Sequence, residues 1–286
     1  MMYKITSLNR MKEWPLRWWH AVVGYGIAIL CALLVPLLLA GSSESALQQS
    51  TAFLGPVQFF AMFGIGVLVV RVWRGKKFAS QDLGFVRPSR RELLYGVWGA
   101  VLFVAITQLA SMLSPELGDA GKKVAQQVGM GEIFWRDVTV VLAATVAAPL
   151  GEELIYRGMI FRGLHDELRR MKQKWTQRLA FIVPAFVSAV LFATSHGGEG
   201  QDRQVVYLTI FGLIAAWLYW KSGSLYVSVF MHSMTNMINF LLLAVAATKP
   251  VSVWIYVLLL VSPAIATGCM FLADKAMRPA KASRLH

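Results

Sequence analysis

The strongest constraint on this chain is a succession of long apolar runs separated by short polar stretches. Eight runs, at roughly 19–40, 53–72, 93–113, 135–160, 179–196, 205–220, 225–247 and 251–271, read as transmembrane helices. Several approach the ~20 apolar residues that cross a ~30 Å hydrocarbon core. Only 15% of the 286 residues are charged, against 57% hydrophobic. So few charges do not cover a soluble particle of this size, but they do cover the two ends of a particle whose sides face lipid. The same apolarity excludes disorder. The predicted fold class is all-α, a polytopic membrane helix bundle forming a single integral membrane domain over 1–286. The first run is long and lacks a clear small-residue cleavage site, so it reads as a retained anchor rather than a signal peptide.

The net charge of +13 would suggest nucleic acid in a soluble protein, but here its distribution indicates membrane topology. Of the 28 Lys and Arg residues, all but Lys122, Lys123, Arg136, Arg203 and Lys249 fall in segments that alternate onto one side of an eight-helix chain. That is the positive-inside pattern, and it predicts both termini in the cytoplasm of a multi-pass cell-membrane protein. Membrane lipid is the expected partner and nucleic acid is not. Cys31 and Cys269 lie in apolar runs with no metal-ligand spacing and read as packing residues. Trp18, Trp19, Trp73 and Trp135 suit interface belts or core filling, and His20, His165 and His286 carry no expected role. The stretch 114–134 reads as an interfacial or re-entrant segment.

Ionisable residues inside apolar runs are costly unless they are buried, paired or wet, so they mark candidate function. Three clusters qualify: Glu152, Glu153 and Arg157 in the fourth run; Phe192, Ser195 and His196 closing the fifth; His232 and Asn236 in the seventh. Glu153 and Arg157 stand at i,i+4 with the acid N-terminal, the favoured orientation for an intrahelical pair. Glu152 points about 100° away around the helix and lacks such a partner. His232 and Asn236 share a face and are expected to aim donors at a common point. Each cluster also has a structural reading: an ion pair pinning a helix, an interfacial histidine before Gly197 and Gly198, or an amide gluing two helices.

Depth tests whether the clusters can meet. With the turn between the fourth and fifth runs near Lys172–Lys174, Glu152 and His196 lie about level, at ~1.5 Å per residue. Counting from Leu179 alone instead puts His196 near the outer end of its helix. A fourth helix that protrudes beyond the bilayer, followed by a fifth that starts deeper, reconciles the two counts.

In this order and on successive helices, Glu152-Glu153-x-x-x-Arg157, Phe192-x-x-x-His196 and His232-x-x-x-Asn236 resemble the three motifs of the CPBP family. That family joins type II CAAX prenyl proteases of the Ras-converting-enzyme type to bacterial relatives of the bacteriocin-processing, or Abi, type. The resemblance covers about 135–245, the expected catalytic core, and implies an intramembrane endopeptidase acting on a membrane-associated peptide or protein. It would make Glu152 the residue that activates water and His196 the residue that orients it. Glu153 and Arg157 would support them, and His232 and Asn236 would stabilise the oxyanion. The alternative implied chemistry is a Zn²⁺ held by His196, His232 and Glu152, although no H-E-x-x-H pattern is present. From other classes, a secondary transporter using these groups as a proton relay competes, without an inverted repeat to support it. A non-catalytic immunity or scaffold member of the same family is the remaining alternative.

Overall fold

The computed structural model describes residues 16–38, 44–113, 129–196 and 202–278. The sequence-based expectations for Lys4, Arg10, Lys12, Lys122, Lys123, Gly197, Gly198, Lys281, Arg284, His286 and most of 114–134 lie outside the described residues. Nine helices are described: α1 (Trp18–Leu38), α2 (Glu44–Arg74), α3 (Arg90–Leu113), α4 (Phe134–Arg170), α5 (Lys174–Leu179), α6 (Ile182–Thr194), α7 (Asp202–Ser222), α8 (Leu225–Ala246) and α9 (Val253–Met277). Six of them contain spans long and apolar enough to cross a membrane, and Trp18–Leu33 and Ile182–Thr194 are shorter apolar helices. Each of the eight expected apolar runs therefore contains a described helix. Outward residues such as Leu30, Val72, Trp98, Met112 and Leu272 are more than two-thirds exposed, as a lipid-facing surface requires.

The fourth run differs most from expectation. Instead of ending at 160 in a charged loop, α4 continues to Arg170. Its last two turns are amphipathic and are closed by the i,i+4 pair Arg162–Asp166 (3.3 Å). At ~1.5 Å per residue its 37 residues span ~55 Å, well beyond a ~30 Å hydrocarbon core. α6 has only 13 residues and begins at Ile182, after the short α5. A long, protruding fourth helix followed by a deep-starting one is the arrangement that reconciles the two depth counts.

α4 is also the central rod. Of its apolar window 67% is buried inside the protein, against 17–39% for the other five spans. It packs against α1, α2, α6, α7, α8 and α9, so ionisable side chains on it face protein rather than lipid. Glycines allow the close approach: a Cβ on Gly151 would stand 2.6 Å from the Phe59 carbonyl oxygen of α2.

One end of the bundle is tied by polar contacts between its basic segments. Buried Arg162 donates to the carbonyls of Gln81 and Asp82, and Asp82 accepts from Arg74 (3.0 Å). Ser80 donates to Asp274 (2.6 Å), and the Leu16 amide donates to Asp166 (3.0 Å). His165 is buried here beside Asp166, while His20 is buried against Trp19 and Trp73. Trp18, Trp73 and Trp135 are exposed, as an interface role requires. Cys31 and Cys269 are free and packed among apolar side chains.

Candidate active site

Glu152 and Glu153 end a six-residue α-helical piece of α4, Ala148–Glu153, bracketed by two π-helical stretches, Ala143–Ala147 and Leu154–Phe161. Such wide turns inside α-helices recur at functional sites. Pro149 supplies a physical cause for the first. It carries no N–H, so the Thr145 carbonyl loses its ordinary donor. The Ala148 N–H reaches back to Ala143, which leaves the Ala144 carbonyl without its donor as well. α8 supplies the replacements: Ser233 donates to the Thr145 carbonyl, and the Asn236 amide donates to Ala144 (2.7 Å).

This corrects one expectation. His232 and Asn236 share a face of α8, but their donors do not converge on one point. The amide of Asn236 is directed at the backbone of α4, because that backbone has an unsatisfied carbonyl there.

The other five residues do come together. Glu153 and Arg157, both fully buried, pair at 2.9 Å. The guanidinium also donates to the Gly212 carbonyl of α7 (3.3 Å) and lies over the rings of Phe192 (4.9 Å) and Phe211 (5.8 Å). The same Glu153 oxygen, Oε1, contacts His232 Nδ1 at 2.8 Å. A carboxylate only accepts, so Nδ1 carries the proton and Nε2 is turned away from Glu153. That Nε2 faces Glu152 Oε2 at 3.7 Å, and His196 Nε2 faces Glu152 Oε1 at 3.3 Å. The Glu152 carboxylate, 5% exposed, therefore sits between two imidazoles from two other helices.

His196 has its own orienting contacts. Its Nδ1 lies 2.8 Å from the Phe192 carbonyl, which fixes Nδ1 as a donor. Ser195 Oγ lies 3.3 Å from the same nitrogen and accepts the Tyr156 hydroxyl of α4 at 2.8 Å. Tyr156, Ser233, Phe211 and Gly212 were not among the expected site residues. Tyr156 and Ser233 sit inside the Glu152–Arg157 and His232–Asn236 motifs without showing that their hydroxyls leave the helix for a neighbour, and Phe211 and Gly212 lie in a uniform apolar run. The Pro149 signal was readable, since an interior proline demands outside donors for freed carbonyls.

Of the five, His196 alone is substantially open, with a 33% exposed side chain. Both imidazole Nε2 atoms are directed at the carboxylate, so the three side chains contact one another rather than surrounding a separate point. Among the described residues no group of three His, Cys, Asp or Glu side chains is gathered to hold a metal ion.

Comparisons with known proteins agree with the motif resemblance. Residues 134–238 match the family model described as type II CAAX prenyl endopeptidase Rce1-like. The chain is 18% identical over 227 residues to the "Putative membrane peptidase YdiL" of Bacillus subtilis (strain 168), covering 77% of this chain and 86% of that one. No solved structure matches. The matched segment holds all six candidate site residues, and the apolar helices around it make the chain an integral, multi-pass membrane protein. Residues 134–238 are therefore similar to the type II CAAX prenyl endopeptidase Rce1-like family.

Proposed function

We propose that the chain is an intramembrane endopeptidase that hydrolyses a peptide bond in a membrane-associated peptide or protein by a glutamate-based, metal-free mechanism. The observation that carries this reading is the placement of the Glu152 carboxylate, nearly enclosed, between His196 Nε2 and His232 Nε2. Peptide hydrolysis needs a base for water and fixed donors where negative charge develops.

In this mechanism Glu152 removes a proton from a water oriented by His196, and the water oxygen attacks the scissile carbonyl. His232 is oriented by the Glu153 carboxylate at Nδ1, and its Nε2 side is the edge that stabilises the oxyanion. Arg157 holds the Glu153 carboxylate in place. Glu152 then delivers its proton to the departing amine, which restores the base and releases two peptides. The protein walls around α4 limit bulk water and strengthen these contacts.

The test is Glu152→Gln in the purified full chain reconstituted in lipid. A folded, inserted and inactive variant supports the mechanism, whereas undiminished cleavage removes Glu152 from it. Full activity after exhaustive chelation supports the metal-free form. Activity lost on chelation and restored by one divalent ion overturns that form. A comparison of membrane-protein termini between wild-type and Glu152→Ala cells would identify the substrate.

A further inference from the structure

An apolar groove of about 570 Å³ opens between α3, α7 and the start of α6. Its walls include Tyr95, Trp98, Leu102, Phe181, Leu213 and Trp217, and no charged side chain lines it. The volume is within the ~300–1,000 Å³ of ordinary small-ligand sites. Trp98 and Trp217 are 69% and 43% exposed, so both indoles face whatever fills the groove. One end is basic. Exposed Arg91 lies over the Tyr95 ring (5.9 Å), Arg178 is three residues before Phe181, and Lys221 follows Trp217 by one turn on the same face of α7. At ~1.5 Å per residue the groove extends from ~7 to ~18 Å beyond Arg90, about one leaflet of a ~30 Å core.

From this combination we infer that the groove is a binding site for an anionic phospholipid, with an acyl chain along the indoles and the phosphate at the Arg91 and Lys221 end. An apolar slot one leaflet deep, capped by guanidinium and ammonium groups, complements a lipid with a negative head. The surroundings are bilayer, so such a lipid reaches the groove laterally. The inference does not depend on peptide cleavage.

The full chain is reconstituted in phosphatidylcholine bilayers containing phosphatidylglycerol, with bromine on the acyl chains of either lipid at equal total bromine. Tryptophan quenching is then compared between the two. The expected result is stronger quenching by brominated phosphatidylglycerol, with a preference of roughly five-fold for each basic residue engaged. Arg91→Gln with Lys221→Gln should abolish most of that preference, and Trp98→Phe with Trp217→Phe should remove the quenching that carries it. Equal quenching by both lipids, or a preference unchanged by Arg91→Gln with Lys221→Gln, overturns the inference. So does disulfide capture of a dimer through Trp98→Cys in a background lacking Cys31 and Cys269, because the groove would then hold a second copy. Circular dichroism and elution volume confirm that each variant is folded.

Discussion

His232 Nδ1 stands 2.8 Å from Glu153 Oε1, the same oxygen that accepts from Arg157 at 2.9 Å. One carboxylate thus compensates a fully buried guanidinium and sets which nitrogen of His232 is presented to Glu152. Glu152 and Glu153 are neighbours in sequence with separate duties, and their amide variants should separate those duties. Glu152→Gln removes the proposed base while leaving the buried ion pair intact, so stability should change little. Glu153→Gln leaves Arg157 charged and unpaired, and breaking one side of such a pair costs ~3–5 kcal/mol. Thermal unfolding in detergent should therefore fall sharply for Glu153→Gln only, with cleavage lost in both. Equal stability of the two variants would contradict this division.

The position of His196 should depend on a hydroxyl that never touches Glu152. Tyr156 Oη donates to Ser195 Oγ at 2.8 Å, tying the end of the short α6 to α4. Tyr156→Phe keeps the ring, its edge-on packing against Phe192 and most of the burial. The lost hydrogen bond is worth ~1 kcal/mol of stability, yet the freed end of α6 lets His196 drift from Glu152. We expect kcat to drop several-fold at unchanged KM. Ser195→Ala should produce the same loss, and the double variant little more than either alone. Additive losses would mean that the two side chains act separately.

The reach of the sequence can be judged from these residues. Glu152, Glu153, Arg157, His196 and His232 were identifiable because an ionisable group in an apolar run needs a reason, and helical spacing shows which of them share a face. The all-helical, multi-pass character followed from run length. Cross-helix partners did not, because spacing fixes direction around one helix and leaves the neighbouring helix unspecified. Asn236 shows the difference: i,i+4 spacing put it on the face of His232, and only the unsatisfied carbonyl of Ala144 explains where its amide goes. Run length alone ended α4 near 160, because its last turns are polar; only the depth count pointed to a longer helix, and the burial of Arg162 and His165 against neighbouring segments explains why those polar turns stay helical.

Gly212 should tolerate no side chain, for a reason that trimming its neighbour does not cure. A Cβ there would lie 2.7 Å from both Cα and Cβ of Ala189 on α6. Gly212→Ala must push α7 from α6 and lengthen the Arg157–Gly212 hydrogen bond, at ~1–3 kcal/mol for overpacking. Because Ala189 Cα is itself in the way, adding Ala189→Gly should restore stability only in part. Complete recovery would show that the side chain, and not backbone proximity, sets the limit.

Asn236 allows a direct choice between a catalytic and a backbone-satisfying role. Pro149 removes a donor that α4 would otherwise supply, and Ser233 and Asn236 fill in from α8. Each of Ser233→Ala and Asn236→Ala should then leave a buried carbonyl unpaired, at ~1–3 kcal/mol. Pro149→Ala returns an N–H to the helix interior, which can relax towards ordinary α-geometry and satisfy its own carbonyls. In that background the stability cost of Asn236→Ala should shrink towards zero, and cleavage should recover with it if the amide serves only the α4 backbone. Stability recovered without cleavage would instead place the amide in the chemistry, as an oxyanion donor beside His232. Unfolding and turnover measured on the four members of this cycle distinguish the two, and we expect both to recover.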